Sequence, residues 1–340
     1  MTSIEAFVAD LPKCELHVHL EGTLEPEMKL RLAERNGIAL PYPSIESLRA
    51  SYTFHDLPSF LGIYYDGMRV LQKEPDFYDL AYAYLGKAHA QNVRYAEMFF
   101  DPQAHTARGV SFATVIRGIR RAQLAAEDRL GIRSQLIMCF LRDWSAEFAM
   151  ATLLDSLPYQ EWIVGVGLDS DEKNNPPRKF REVFRRAREE GYLLTMHCDV
   201  DQDNTTEHIR QCLEEIDVAR IDHGVNTLDD AALTEMVRER RLGLTICPVS
   251  NFYVTGDSKA AQIKRFLELG MRATVSSDDP AYFGAYITEN LLRVQQEAQL
   301  TQAEIKQLML NAFESAWLPR ASKDRFIAEL EDRAAGAGAG

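Results

Sequence analysis

The feature that most constrains this chain is a rhythm of short apolar segments. They are Cys14–Leu20, Val93–Phe100, Ser134–Leu141, Trp162–Ser170, Tyr192–Val200, Arg220–Val225, Gly243–Ser250 and Arg272–Asp279, each rich in Val, Ile, Leu or aromatic residues. From the second onward, helical stretches such as Pro177–Glu190, Thr206–Glu215, Asp229–Arg240 and Lys259–Leu269 separate them. Buried strands alternating with helices form parallel sheets, and eight such units predict closure into a (β/α)8 TIM barrel. A chain of 340 residues suits one such barrel with insertions.

The first interval breaks the rhythm. About seventy residues separate the first two segments, and they read as helices over Glu25–Asn36, Ile45–Ala50, Leu57–Leu71 and Asp76–Gln91. This is an insertion expected to cap the barrel mouth. No linker divides the chain, so residues 1–330 read as a single domain. The small-residue run AAGAGAG, Ala334–Gly340, predicts a flexible, disordered tail over 331–340.

The net charge of −13 argues against nucleic-acid or membrane partners, which are themselves anionic. It is compatible with a small-molecule partner. The five cysteines, Cys14, Cys139, Cys198, Cys212 and Cys247, contain no CxxC pair and four lie in apolar segments, which predicts a reducing, cytoplasmic setting. The amino terminus, MTSIEAFVADLPK, has no signal-peptide pattern, and no apolar run reaches the length of a bilayer span.

In a barrel, chemistry sits at the carboxyl ends of the strands. The first segment ends in His17-Val18-His19, the fifth carries His197, the sixth His223, and the eighth ends in Asp278-Asp279. Residues i and i+2 of a strand share a face, so His17 and His19 both point toward the barrel axis. Imidazole nitrogens with one carboxylate oxygen suit Zn2+, which can activate water at neutral pH. Each element alone is weak. A strand histidine is most often a hydrogen-bonded core residue, and an Asp pair often caps a helix. Their joint fall on one barrel face carries the metal-site reading.

The stretches LPKCELHVHLEGTLEPE (Leu11–Glu27), RIDHGVN (Arg220–Asn226), TICPVSN (Thr245–Asn251) and SSDDPAYFG (Ser276–Gly284) resemble the adenosine/adenine deaminase family of the amidohydrolase superfamily. Glu21 in HVHLEG, YAEMFFDPQAHT (Tyr95–Thr106) and VGLDSDE (Val166–Glu172) look more like the enzymes acting on a free base. The resemblance implies one Zn2+ per chain on His17, His19, His197 and Asp278. It implies that His223 orients the attacking water. It also implies substrate contacts from Asp279 at purine N7, from Ser170 near N3, and from Glu21 at the end where a ribose would lie. The implied reaction is hydrolytic deamination, at C6, of a 6-aminopurine such as adenine or an N6-substituted adenine.

One motif departs from the family. After the fifth strand the family reads His-Ala-Gly-Glu, and the glutamate handles protons at N1 and at the attacking water. Here the sequence is His197-Cys198-Asp199-Val200-Asp201, with Val200 at the glutamate's position. Asp199 and Asp201 flank it on the side of His197 in an extended segment and are the candidate replacement acids; the bland alternative is a solvated acidic run. The departure keeps other readings open: a purine-binding relative without turnover, or a deaminase of another aminated heterocycle or of a nucleoside such as adenosine. A zinc assay with a screen of aminated purines separates them.

Overall fold

The computed structural model describes residues 3–198 and 204–337. Among them, eight parallel strands follow one another around a barrel in chain order. They are β1 (Lys13–His19), β2 (Val93–Phe100), β3 (Arg133–Leu141), β4 (Gly165–Asp169), β5 (Leu193–Cys198), β6 (Arg220–His223), β7 (Gly243–Ile246) and β8 (Arg272–Val275). The expected (β/α)8 architecture is therefore present. The sequence-read segments run past β4, β6, β7 and β8 at their carboxyl ends, into residues that turn away or lead into the next helix.

Closure takes place at the level of the predicted site. Val18 bridges Asp278; the His19 amide donates to the Asp278 carbonyl at 2.9 Å, and the Asp278 amide donates to the His17 carbonyl at 3.1 Å.

Alternation along β1 separates two environments. Cys14, Leu16 and Val18 join the apolar core between barrel and helices, while Glu15, His17 and His19 belong to the opposite, inward set. Glu15 is satisfied by hydrogen bonds: its carboxylate accepts from Tyr84 Oη at 2.6 Å, Ser277 Oγ at 2.5 Å and the Ser277 amide at 3.1 Å. A buried carboxylate needs such donors to be tolerated.

The insertion contains helices Pro26–Asn36, Ile45–Ala50, Leu57–Gly67 and Glu74–Ala90. Ser44 and Asp56 start the second and third by accepting from the Ser47 and Ser59 amides. Phe60, Tyr64 and Tyr65 of the third help line the central pocket, so the insertion caps the mouth as expected. The carboxyl-terminal expectation needs correction. Helix Arg320–Ala337 covers residues 331–337 of the segment read as a flexible tail, since alanine sustains a helix that Phe326 and Leu330 anchor in the core; residues 338–340 lie outside the described residues. None of the helices is long and apolar enough to cross a membrane among the described residues.

Candidate active site

Three imidazoles and one carboxylate converge at the carboxyl end of the barrel. His17 Nε2 lies 3.0 Å from Asp278 Oδ1, His19 Nε2 lies 3.3 Å from the same oxygen, and His19 Nε2 is 3.1 Å from His197 Nε2. The second nitrogens of His17 and His197 are hydrogen-bonded, and that of His19 faces a carboxylate. His17 Nδ1 meets Thr245 Oγ1 at 2.9 Å, His197 Nδ1 meets the Leu168 carbonyl at 3.1 Å, and His19 Nδ1 faces Asp169 Oδ2 at 3.5 Å. Such partners fix the tautomer that leaves Nε2 with its lone pair toward the common point, as metal-binding histidines require. The donor set therefore fits Zn2+. His223 shares this centre: ligand atoms of His17, His197, His223 and Asp278 lie within 4.8 Å of one another, whereas His19 groups with Asp278 and Asp279.

Support for the histidines continues through the barrel interior. Thr245 Oγ1 donates to Asp222 Oδ1 at 2.9 Å, Thr195 Oγ1 donates to Asp222 Oδ2 at 2.6 Å, and the Arg220 guanidinium lies between Asp222 and Glu97. All these groups are buried. The interior of this barrel is thus a connected polar network, whose members hold one another in place.

The backbone turns sharply where the side chains must enter the pocket. Ser170, His223 and Asp278 have φ of 74°, 57° and 65°, in the left-handed region that non-glycine residues seldom adopt. Such conformations persist where surrounding structure enforces them, often at functional sites. A second device is the dipeptide Asp-Pro. Proline opens helices Pro102–Thr106 and Pro280–Phe283, and it keeps the preceding residue out of the helical region. Asp101 (φ −110°, ψ 77°) and Asp279 (φ −119°, ψ 69°) share this geometry, and neither caps its helix. Asp279 also packs on Gly22, where an added Cβ would come within 2.0 Å of its Oδ1.

The pocket above the imidazoles is polar on its floor and apolar toward Leu57, Phe60, Leu61 and Val254. Asp279, Ser170, His223, Asp101 and Asp169 all line it. Asp279 Oδ1, Ser170 Oγ and His223 Nδ1 are buried without a hydrogen-bond partner among the described residues. The adjacent carboxyls behave oppositely. Burial opposes ionisation of Asp278, but His17 and His19 hold it well below the ordinary carboxylate range. Burial and the neighbouring Asp278 push Asp279 well above that range. Burial, reinforced by His17, lowers His223 to about 4.

The structure brings His17, His19, His197, His223, Asp278, Asp279 and Ser170 together. Glu21 does not line the pocket. Its Oε1 accepts from His105 Nε2 at 2.8 Å and from the Asp101 amide at 3.2 Å, behind the residues that line it. Asp199, Val200 and Asp201 lie outside the described residues. Sequence reasoning assigned no role to Asp101, Asp169, Thr245 or Asp222. Asp101-Pro102 at the end of β2, a repeat of the Asp279-Pro280 signal, was the visible clue to one of them.

Comparison with known proteins agrees with this geometry. The adenosine deaminase family profile matches residues 12–333. The chain is 54% identical over 331 residues to an uncharacterized deaminase of Schizosaccharomyces pombe, covering 97% of this chain and 98% of that one. The crystal structure of adenine deaminase from Arthrobacter aurescens superposes with a TM-score of 0.91 at 40% identity, covering 95% of this chain and 98% of that chain. A Burkholderia ambifaria amidohydrolase with bound Zn superposes at 0.90 with 26% identity, covering 100% and 96%. A profile match over nearly the whole chain, joined to the histidine–aspartate centre in a closed barrel, places this protein in the adenosine deaminase family as a hydrolytic deaminase.

Proposed function

We propose that the chain hydrolyses the C6–N bond of a 6-aminopurine base, adenine or an N6-substituted adenine, and releases ammonia or an amine. The observation that carries this reading is the convergence of three Nε2 atoms and Asp278 Oδ1 on the floor of a pocket whose wall holds an unpartnered Asp279 oxygen. One Zn2+ held by His17, His19, His197 and Asp278 would supply Lewis-acid activation of water. The similarity to adenine deaminases supports a base as substrate.

The chain's own groups then divide the work. His223, neutral at pH 7, orients the attacking water and stabilises the charge that develops during addition. Asp279 meets N7; its raised carboxyl favours the protonated form that a lone-pair acceptor requires. Ser170 approaches N3. Asp199 or Asp201 provides the proton transfer that Val200 cannot, at N1 and at the water. An aspartate is one methylene shorter than glutamate and starts from a different backbone position, which alters the space beside C6. An N6-substituted adenine is therefore expected to react better than adenine.

The test is turnover by zinc-loaded protein on adenine, N6-methyladenine, isopentenyladenine, adenosine and guanine, with Asp199→Asn and Asp201→Asn made separately. A free base should outrun adenosine, and one variant should lose at least ~10²-fold, the lower end for a positioned acid–base group. Adenosine emerging as the best substrate would overturn the free-base assignment. Near-normal rates in both variants would move proton transfer to another group.

A further inference from the structure

Asp101 is a buried carboxylate in search of a donor. It is 1% exposed and lines the pocket, and its Oδ1 has no hydrogen-bond partner among the described residues. It follows β2 directly and precedes Pro102, in nearly the backbone geometry of Asp279. Capping cannot explain it, because its side chain makes no bond to the helix it precedes. Its backbone is held instead: the Asp101 amide donates to Glu21 Oε1, and Glu21 is in turn fixed by His105.

Its neighbours are acids. The Asp101 and Asp169 carboxylates approach His19 so that one atom of each residue lies within 4.8 Å of the others. A buried acceptor left unpaired is costly, and a ligand N–H placed there relieves that cost.

The barrel's circular order indicates which N–H. Around the mouth, Asp279 follows β8, Asp101 follows β2, and Ser170 follows β4. Around a purine, N7, N9 and N3 come in the same order. With Asp279 at N7 and Ser170 at N3, the position after β2 falls at N9. A free base carries its proton there in one tautomer; a nucleoside carries a sugar.

We infer that Asp101 is a specificity-determining residue that accepts a hydrogen bond from N9–H of a free purine base, so that N9-substituted purines lose the bond and meet the pocket wall. The assignment rests on the purine orientation proposed above. It makes the free-base preference a property of the β2 end, with Glu21 acting behind it as a positioning residue.

Equilibrium binding of purine and 9-methylpurine, which carry no amine to hydrolyse, tests it on the metal-loaded protein. Alongside it, kcat/KM is measured for adenine and 9-methyladenine. In the wild type the 9-methyl ligand should bind at least ~10²-fold more weakly, as expected when a site built around a ligand N–H meets an analogue lacking it. Asp101→Ala should bring that ratio below ~10, mainly by weakening purine and raising KM for adenine. Asp101→Asn, similar in size, should give an intermediate ratio, and its melting temperature controls for folding. Equal binding of the two ligands by the wild type, no binding of either, or an unchanged ratio in both variants would overturn the assignment. A protein that discriminates the ligands yet deaminates no purine would retain it and instead remove the proposed function.

Discussion

Asp278 and Asp279 are chain neighbours with opposite surroundings, and the contrast sets their roles. Asp278 faces His17 and His19 and stays ionised; Asp279 rests on Gly22 beside that negative charge and is pushed toward its neutral form. Separating two carboxyls in this way lets one serve a cation and the other a hydrogen-bonding ligand. His223 tests the chemistry most directly. Its Nδ1 is unpartnered and its Nε2 lies 3.8 Å from Asp278 Oδ2, so its loss removes no structural bond of ordinary length. His223→Ala should keep the fold and the metal content while kcat/KM falls by roughly 10²–10³. Wild-type kcat/KM in that variant would show that another group stabilises the developing charge.

At the scale of elements, the sequence shows which residues can form strands better than it shows what those strands face. Apolar runs and strand-end histidines reveal the barrel and the Nε2 cluster because period and position follow from local rules. Thr245 and Asp222 escape such reading. Their importance arises from the contact of β7 with β6 and with His17, which lies 228 residues from Thr245. Asp101 was hidden for a different reason: as a lone acid before a proline it resembles an ordinary helix start. Lys29 in helix Pro26–Asn36 escaped for another reason, since a lysine in a helix is most often solvated. Its Nζ donates to Tyr52 Oη at 2.7 Å and Tyr282 Oη at 3.2 Å and sits over both rings, tying the insertion to the segment that follows Asp279. Burial lowers Lys29 to about 7. The unfolded chain therefore binds more protons at this position between about pH 7 and the ordinary lysine value of 10.5. Stability should rise with pH through that window, by up to ~1.4 kcal/mol per pH unit from this group, and its contribution should level off below it. Lys29→Met should lose that part of the slope in urea denaturation. An unchanged slope would mean that Lys29 stays charged in the folded protein.

For the whole molecule, the proposed metal centre joins residues from both ends of the chain. An ion bound only by the folded form adds stability, about 4 kcal/mol when its free concentration is 1,000 times Kd. Chelation should therefore lower the thermal midpoint and abolish turnover together, and added Zn2+ should restore both. Metal analysis should return one zinc per chain. Full activity in metal-free protein would refute the centre.

The bridge from Val18 to Asp278 has a further consequence during synthesis. His17 emerges from the ribosome early, but its partner Asp278 is 261 residues away. Until β8 has cleared the exit tunnel, the growing chain can present His17 and His19 but not the complete four-ligand cage. Loading of the proposed metal is thereby tied to the end of translation, and a truncated product lacking β8 would leave the ribosome without the means to assemble the proposed centre.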